Sequence, residues 1–409
     1  MRRLLVLLHR WMGLLIAGFL FVSGLTGAII SWDHELDDWL NPHLTDARFT
    51  GPARDALTLA REIESRHPQV QVTYLPLAAE PGHSLAVYVE PRTDPATGEL
   101  FTPGFNQVFV DPASGVELGR REWGAAWPVT RENVISFLYK LHYSLHLPEM
   151  RGTDRWGIWL LGVVALAWTV DCFTGFYLTL PTRKRSRPQA AGALTLDDVA
   201  AGKSRWQRWK PSWQVRWRGG AYKLNFDLHR AVGLWTWGLL LAVAFTAFSL
   251  NLYREVFFPV MSLVSDVTPS PFDRRMPSSP HDLIPPVINF DEALQRAAAE
   301  AKRRGWEEPP GSIFYAREYG IYSIAFFYPE DSHGSGGAGH RELYLDAQDS
   351  RLLGNREPWQ GTAADIFVQA QFPLHSGRIL GLPGRILISA MGLAVALLSV
   401  TGVYIPKLK

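Results

Sequence analysis

Leu8-His9-Arg10-Trp11-Met12-Gly13-Leu14 and Leu228-His229-Arg230-Ala231-Val232-Gly233-Leu234 are one phrase written twice, 220 residues apart. The same offset superposes Gly18 on Gly238, Thr26 on Thr246 and Glu35 on Glu255. An offset of 235 aligns Asp111, Leu118-Gly119 and Arg121-Glu122 with Asp346, Leu353-Gly354 and Arg356-Glu357. Farther along, Thr174-Gly175-Phe176-Tyr177 answers Thr401-Gly402-Val403-Tyr404. These 409 residues therefore read as a tandem duplication, each copy a helix, an external domain and a second helix.

Both phrases open stretches almost free of charge. Four such stretches occur, at 4–31, 156–180, 228–252 and 379–405. At ~1.5 Å of rise per residue each can cross a hydrocarbon core about 30 Å thick. The mean hydropathy of -0.03 hides them, because polar segments lie between. The first stretch is too long for a secretory signal, carries His9-Arg10 within it and is followed by no small-x-small cleavage site, so a retained helix is expected. Arg183, Lys184, Arg185, Arg187, Lys203, Arg205, Arg208, Lys210, Arg216, Arg218 and Lys223 crowd one connection that holds only Asp197 and Asp198 as acids. By the positive-inside rule this loop is cytoplasmic, and Arg2, Arg3, Lys407 and Lys409 place both termini beside it. The expected order is helix 1–31, external module 32–155, helix 156–180, basic loop 181–227, helix 228–252, external module 253–378, and helix with tail 379–409. Copies in the same orientation imply a repeat axis along the membrane normal.

The external halves share a pattern. Residues 53–67 are expected to be helical, followed by alternating strands at 70–75, 84–89 and 107–110 and a turn at Asp111-Pro-Ala-Ser-Gly115. In the second half 291–304 is expected as helix and 312–315, 321–328 and 341–345 as strands, with 332–339 a glycine-rich flexible loop tip. Each half then forms a small α+β module, one helix on a short antiparallel sheet.

A single cysteine, Cys172, excludes a disulfide framework, a multi-cysteine metal site and covalent haem attachment. Any cofactor falls to the 12 histidines and the aromatic residues. His9 and His229 recur at matched depths near the cytoplasmic ends of their helices. On the external side, Leu141-His142-Tyr143-Ser144-Leu145-His146-Leu147-Pro148 precedes one span and Phe372-Pro373-Leu374-His375-Ser376-Gly377 precedes another. Two imidazoles from opposite helices at each of two depths are what a pair of stacked b-type haems requires. The spacing leaves His142 and His146 both open as the partner of His375. Gly13 and Gly233, each four residues after its histidine, and Gly377, Gly381 and Gly384 after His375, would admit a porphyrin face. Arg10 and Arg230 on one level, and Arg378 or Arg385 on the other, are candidates for neutralising propionates.

Against this stands a plainer reading, in which a histidine near a helix end is interfacial or a satisfied polar residue. Recurrence at matched positions favours ligation, as does the rarity of ionisable residues within spans. Asp171, beside Cys172 inside a span, requires a partner, for which Arg10 and Arg230 are candidates; a thiolate ligand at Cys172 has no counterpart in the other half. His34, His43, His67, His83, His281, His333 and His340 read as solvated, with His333 and His340 flanking the glycine-rich loop where a metal chelate could touch them. The tryptophans at 206, 209, 213 and 217 alternate with basic residues, and their place beside a membrane makes a lipid-interface belt, not nucleic acid, the expectation.

The duplicated Leu-His-Arg-x-x-Gly-Leu, the Leu-His-Tyr-Ser-Leu segment, Asp171-Cys-Phe-Thr-Gly-Phe-Tyr-Leu-Thr-Leu-Pro181, and Pro373-Leu-His-Ser-Gly377 with Gly381-Leu-Pro-Gly-Arg385 together resemble the PepSY-associated transmembrane proteins. The likeness spans nearly the whole chain, although 142–174 is longer than 375–401. It implies an inner-membrane ferric-siderophore reductase: four helices, two periplasmic PepSY-like modules and two haem b groups. By that likeness His9 and His229 hold the cytoplasmic-side haem, and His142 or His146 with His375 the periplasmic-side one. Electrons would pass singly to a periplasmic ferric siderophore, which binds ferrous iron far more weakly and releases it. No Gly-x-Gly-x-x-Gly occurs in the cytoplasmic loop, so the donor is expected to be quinol or a separate cytoplasmic partner. The rivals are a quinol-linked cytochrome serving another periplasmic acceptor and a haem-free PepSY sensor or peptidase-binding protein. No residue is singled out as catalytic.

Overall fold

A computed structural model describes residues 1–182, 204–279, 282–331 and 333–405. Most of the basic loop (Arg183, Lys184, Arg185, Arg187, Asp197, Asp198 and Lys203), His281, Ser332, Lys407 and Lys409 lie outside the described residues.

Among the described residues, three helices are long and apolar enough to cross a membrane: α1 (Arg2–Ile30), α5 (Trp156–Thr179) and α10 (Leu382–Tyr404). None carries a proline beyond its first turn, so the ladder of i→i−4 hydrogen bonds is continuous. The stretch expected as one span at 228–252 is two helices, α6 (Ala221–Trp235) and α7 (Trp237–Asn251), bent by 73° at Thr236. The Thr236 hydroxyl donates to the Val232 carbonyl at 2.7 Å, and its backbone N–H reaches the same oxygen at 3.0 Å. A side chain inserted into the backbone ladder is a recognised cause of such a kink, and no glycine or proline is needed for it.

Packing among these helices rests on small residues. A Cβ on Gly24 of α1 would fall 2.7 Å from the Gly392 carbonyl of α10, and one on Gly392 would fall 2.4 Å from the Gly24 carbonyl. Close backbone approach through small residues gives dispersion contacts where lipid leaves no hydrophobic drive between helices. Cys172, Leu240, Ala244, Met391 and Val395 bring α5, α7 and α10 into one buried cluster.

Outside this bundle, eight strands form one antiparallel sheet in the order β4-β3-β2-β1-β5-β6-β7-β8. The strands are β1 (Val70–Pro76), β2 (Leu85–Pro91), β3 (Gln107–Val110), β4 (Glu117–Arg121), β5 (Pro310–Ala316), β6 (Ile321–Phe326), β7 (Arg341–Asp346) and β8 (Leu352–Arg356). Each half supplies a four-stranded meander. The meanders join where β1 pairs with β5, Tyr74 opposite Phe314 and Leu75 opposite Ile313. Helices α3 (Ala56–Arg66) and α8 (Phe290–Arg303) lie on the sheet, and Leu59, Ile63, Ala293 and Ala297 share a single core with Val87, Ile313, Ile324 and Leu343. Two separate small sheets would each expose a long edge, and pairing β1 with β5 removes both edges at once. The expected elements are present, but the halves share one sheet and one core. Strands β4 and β8 fall on the Leu-Gly repeat match, which the alternation alone did not mark as strand.

The repeat-matched aspartates close equivalent hairpins. Asp111 is fully buried and accepts backbone N–H bonds from Arg48, Phe49, Ala113 and Ser114 at 2.8–3.1 Å. Burial alone would raise its pKa, but the N–H groups of Ser114, Phe49 and Arg48 win and hold it at about 2. Asp346 accepts from the Gln348 N–H and pairs with Arg275, so its carboxyl is also lowered.

Helix α4 (Val134–Ser144) and the short helix α9 (Gln371–Ser376) lead into α5 and α10. They return the chain from the sheet to the bundle, and both carry histidines.

Candidate functional site

Four histidines meet in two pairs. His9 on α1 faces His229 on α6 with ring centroids 6.2 Å apart and planes tilted by 54°. His142 on α4 faces His375 on α9 at 6.1 Å and 53°. The two pairs thus share nearly one geometry, which the duplication accounts for.

In each ring the Nδ1 atom is occupied. His142 Nδ1 donates to the Ser23 carbonyl at 3.0 Å and lies 3.1 Å from Thr26 Oγ1. His375 Nδ1 lies 3.0 Å from Thr246 Oγ1, the repeat equivalent of Thr26. His229 Nδ1 donates to the Leu398 carbonyl at 3.1 Å, with Thr401 Oγ1 at 3.0 Å. His9 Nδ1 instead donates to the carboxylate of Asp171, 2.9 Å from both oxygens. An imidazole that donates through Nδ1 and carries no second proton keeps its lone pair on Nε2. Among the described residues, no protein group bonds any of the four Nε2 atoms. Fixing one nitrogen by hydrogen bonding so that the other is presented is how proteins orient metal-binding histidines.

Three glycines press on these rings. A Cβ at Gly175 would stand 3.3 Å from His9 Cε1, at Gly402 3.1 Å from His229 Cε1, and at Gly27 2.9 Å from His142 Cε1. Gly13 differs: nothing stands within 4 Å of the Cβ it lacks, and it borders the cavity beside His9.

Each pair lines its own cavity. The first, about 530 Å³, is walled by His9, His229, Gly13, Gly233, Arg10 and Arg230. The second, about 320 Å³, is walled by His142, His375, Tyr139, Tyr143, Asp33 and Arg378. Both volumes fall in the ~300–1,000 Å³ range of cofactor sites. Leu20, Trp168 and Val395 border both cavities and form the wall between them. A bis-imidazole metal fits the observed separation: two metal–nitrogen bonds of about 2 Å and two ring radii of roughly 1.1 Å sum to about 6 Å. No group of three or more His, Cys, Asp or Glu side chains able to hold a metal exists among the described residues. A metal held between either pair would take two imidazole ligands from the described residues, a donor set that fits haem.

The other candidates fall out unevenly. His146 is turned away from the cavity: its Nε2 bonds the Phe137 carbonyl at 2.9 Å and its ring stacks on Phe137 at 4.6 Å. Leu145 and His146 both adopt positive φ, 56° and 51°, and this left-handed turn ends α4 and swings His146 back along it. Spacing along an ideal helix placed His146 on the face of His142, and the helix stops too soon for that. Arg10, Arg230 and Arg378 border the cavities, but Arg385 does not; it grips Glu35 at 2.7 and 2.8 Å and the Ser31 carbonyl at 2.8 Å, tying α10 to the chain leaving α1. Glu35 is correspondingly lowered, chiefly by its hydrogen bond to Arg385. Asp171 pairs with His9 instead of Arg10 or Arg230; Arg230 bonds Asp227 at 2.8 Å, and Arg10 lies over Trp11.

The glycine-rich segment expected as a free tip is packed: Trp359 Nε1 donates to the Ser335 carbonyl at 2.8 Å, and Gly337 abuts Arg378. It seats His333 edge-on against His34 at 5.8 Å, and burial, then Arg378 and His34, lower the His333 pKa to about 4. His340 stacks on Phe327 at 4.1 Å. Trp206, Trp209 and Trp213 cluster together, and Trp209 Nε1 donates to Thr179 Oγ1 at the end of α5.

Sequence reasoning missed the Thr anchors and Trp168 as parts of the site, although Thr26 and Thr246 are repeat matches. A polar residue recurring inside an apolar span was the available signal.

With this geometry in hand, the comparisons with known proteins are informative. A model of the PepSY-associated TM region matches residues 6–406. The chain belongs to this family. It is a membrane protein of a family associated with redox membrane proteins. No curated protein matches it.

Proposed function

We propose that this PepSY-associated protein is a di-haem b oxidoreductase of the bacterial inner membrane that delivers electrons outward to a periplasmic ferric siderophore and releases ferrous iron. The observation that carries it is the pair of facing imidazole pairs, each with Nδ1 tied, Nε2 free and a cavity that both rings line. In this reading α6 and α7 together make the third of four crossings, both termini are cytoplasmic, and the two halves of the sheet with α3 and α8 are two fused PepSY-like modules. His9 and His229 hold one haem toward the cytoplasm; His142, not His146, and His375 hold the other toward the periplasm. A haem held by these imidazoles would supply one-electron redox chemistry.

This chain's own side chains do the rest. Thr26, Thr246, Thr401 and Asp171 fix the ring orientations, Gly13 and Gly233 leave room beside them, and Arg10, Arg230 and Arg378 offset propionate charge at the rims. Leu20, Trp168 and Val395 keep the two sites apart and water out. The donor is quinol or a cytoplasmic partner reaching the first cavity, and the tryptophans around Trp209 sit at the lipid interface.

Purified protein should show Soret and α bands with two haems per chain. After reduction by dithionite it should be reoxidised by ferric siderophores, with ferrous iron trapped by a chelator. Reoxidation by quinone alone would move the assignment to a quinol-linked cytochrome with another acceptor. Fully loaded material without a Soret band would leave a haem-free sensor or peptidase-binding role.

A further inference from the structure

Three of the four cavity histidines are anchored by neutral groups, a threonine hydroxyl with a backbone carbonyl available beside it. His9 alone is anchored by a carboxylate. Asp171 is 7% exposed, both its oxygens lie 2.9 Å from His9 Nδ1, and among the described residues no lysine or arginine pairs with it. The difference is local to one copy. The offset of 227 that carries Thr174 onto Thr401 carries Gly175 onto Gly402 and Asp171 onto Leu398. Leu398 bonds His229 through its backbone carbonyl, and Thr401 adds its hydroxyl. In the first copy Thr174 is half-buried and donates to the Val170 carbonyl of its own helix, so the hydroxyl anchor has been replaced by a charged one.

A buried carboxylate facing its only partner is expensive to keep, and duplication shows that a neutral anchor suffices to orient the ring. Its distinctive effect is electronic. A carboxylate accepting from Nδ1–H pushes electron density through the ring to Nε2 and makes it a more basic ligand. A more basic axial ligand stabilises ferric over ferrous iron and lowers the reduction potential.

Resting on the di-haem reading above, we infer that Asp171 is a positioning residue that lowers the potential of the haem held by His9 and His229 below that of the haem held by His142 and His375. The low-potential site then lies on the donor side and the high-potential site on the acceptor side, so electrons run downhill outward. Without that carboxylate all four ring anchors would be neutral, and the anchors would set no difference between the two levels.

The test is an anaerobic redox titration of full-length, haem-loaded protein, followed in the α band and by low-temperature electron paramagnetic resonance of the ferric state. Wild type should show two resolved potentials. Asp171→Asn should raise the lower one by at least a tenfold change in the reduction equilibrium, about 59 mV for a one-electron couple, and leave the higher one in place. Asp171→Thr, which installs the type of anchor used by the other three histidines, should do the same with both haems retained. Asp171→Glu should stay near wild type, and Thr401→Val should shift the same haem less. The resonance of one low-spin ferric haem should move with Asp171→Asn while the other stays. Both haems present with unmoved potentials in Asp171→Asn or Asp171→Thr would overturn the inference while leaving the di-haem reading intact. Loss of one haem from both neutral variants, with Asp171→Glu loaded, would reduce Asp171 to a structural anchor and overturn it too. Haem-free wild-type protein would overturn the di-haem reading and this inference together.

Discussion

The His9–His229 level and the His142–His375 level are two castings from one mould, and they differ where it matters. Ring separations agree to within 0.1 Å, 6.2 against 6.1 Å. Yet the first cavity is the larger, bordered by Arg2, Arg10 and Arg230, and one of its histidines leans on a carboxylate. The second is smaller, rimmed by Tyr139, Tyr143, Asp33 and Arg378, and both of its histidines lean on threonines. Backbone geometry has thus been inherited and side-chain electrostatics have diverged. In a duplicated protein the shared part identifies what the site holds, and the unshared part identifies what each copy does with it.

The largest test of that comparison is to remove one ring at a time. His9→Ala or His229→Ala should cut haem content from two per chain to one, and His142→Ala or His375→Ala should do so independently, measured by pyridine haemochromogen against protein mass. Loss of both haems from a folded single variant would mean the levels are not separate sites. Next come the glycines behind the rings. Gly27→Ala puts a methyl 2.9 Å from the His142 ring, tighter than the 3.3 Å at Gly175 and His9. Gly27→Ala should therefore weaken haem retention at its own level by roughly tenfold, the scale of losing a ligand-orienting contact, and Gly175→Ala should do less at its level. Equal effects would show that the second level is no more tightly packed than the first.

A smaller effect is expected from Thr26→Val. The hydroxyl is one of two oxygens near His142 Nδ1, so its loss should cost about 1 kcal/mol in haem binding, read as a fewfold faster transfer of haem to an apoprotein acceptor. An effect as large as that of His142→Ala would mean the Ser23 carbonyl does not hold the ring alone.

The eight-stranded sheet supplies a control on acid. Asp111 has its carboxyl lowered from 3.8 to about 2 in the fold, so its contribution to stability is fully present above about pH 4 and lost as pH falls toward 2. Asp111→Asn should lower stability at pH 7 and flatten its fall below pH 4, followed by thermal unfolding of the sheet. An unchanged acid limb in that variant would place the sensitivity elsewhere. Smallest of all, His146→Ala should leave two haems in place; a single haem there, with both kept in His142→Ala, would exchange the two residues' roles.

The extent to which these sites could be read from sequence followed the range of the interactions involved. The duplicated Leu-His-Arg phrase, the four apolar stretches and most strands were visible, because periodicity and composition are local. The choice between His142 and His146 was not, since it turns on a left-handed residue pair that ends α4 at Ser144, two residues short of His146. The partner of Asp171 was sought among arginines because charge asks for charge. His9 answers it across 162 positions of sequence, a contact that only the packing of α1 against α5 creates. Arg385 looked like a propionate partner, and it is held by Glu35 from the short helix α2 (Asp33–Leu40), whose position against α10 sequence spacing cannot place.

By itself the sequence determined a duplicated membrane protein with imidazoles at two matched depths, since apolar length, helical period and repeat offset are properties of the chain taken segment by segment. Tertiary structure alone decided that the two intervening halves share a single sheet, that the apolar stretch 228–252 is bent at Thr236, and which atoms anchor each ring. Those outcomes depend on distances between residues far apart in the chain. Two copies of one phrase can therefore fold alike and still differ in the carboxylate that one of them brings to its histidine.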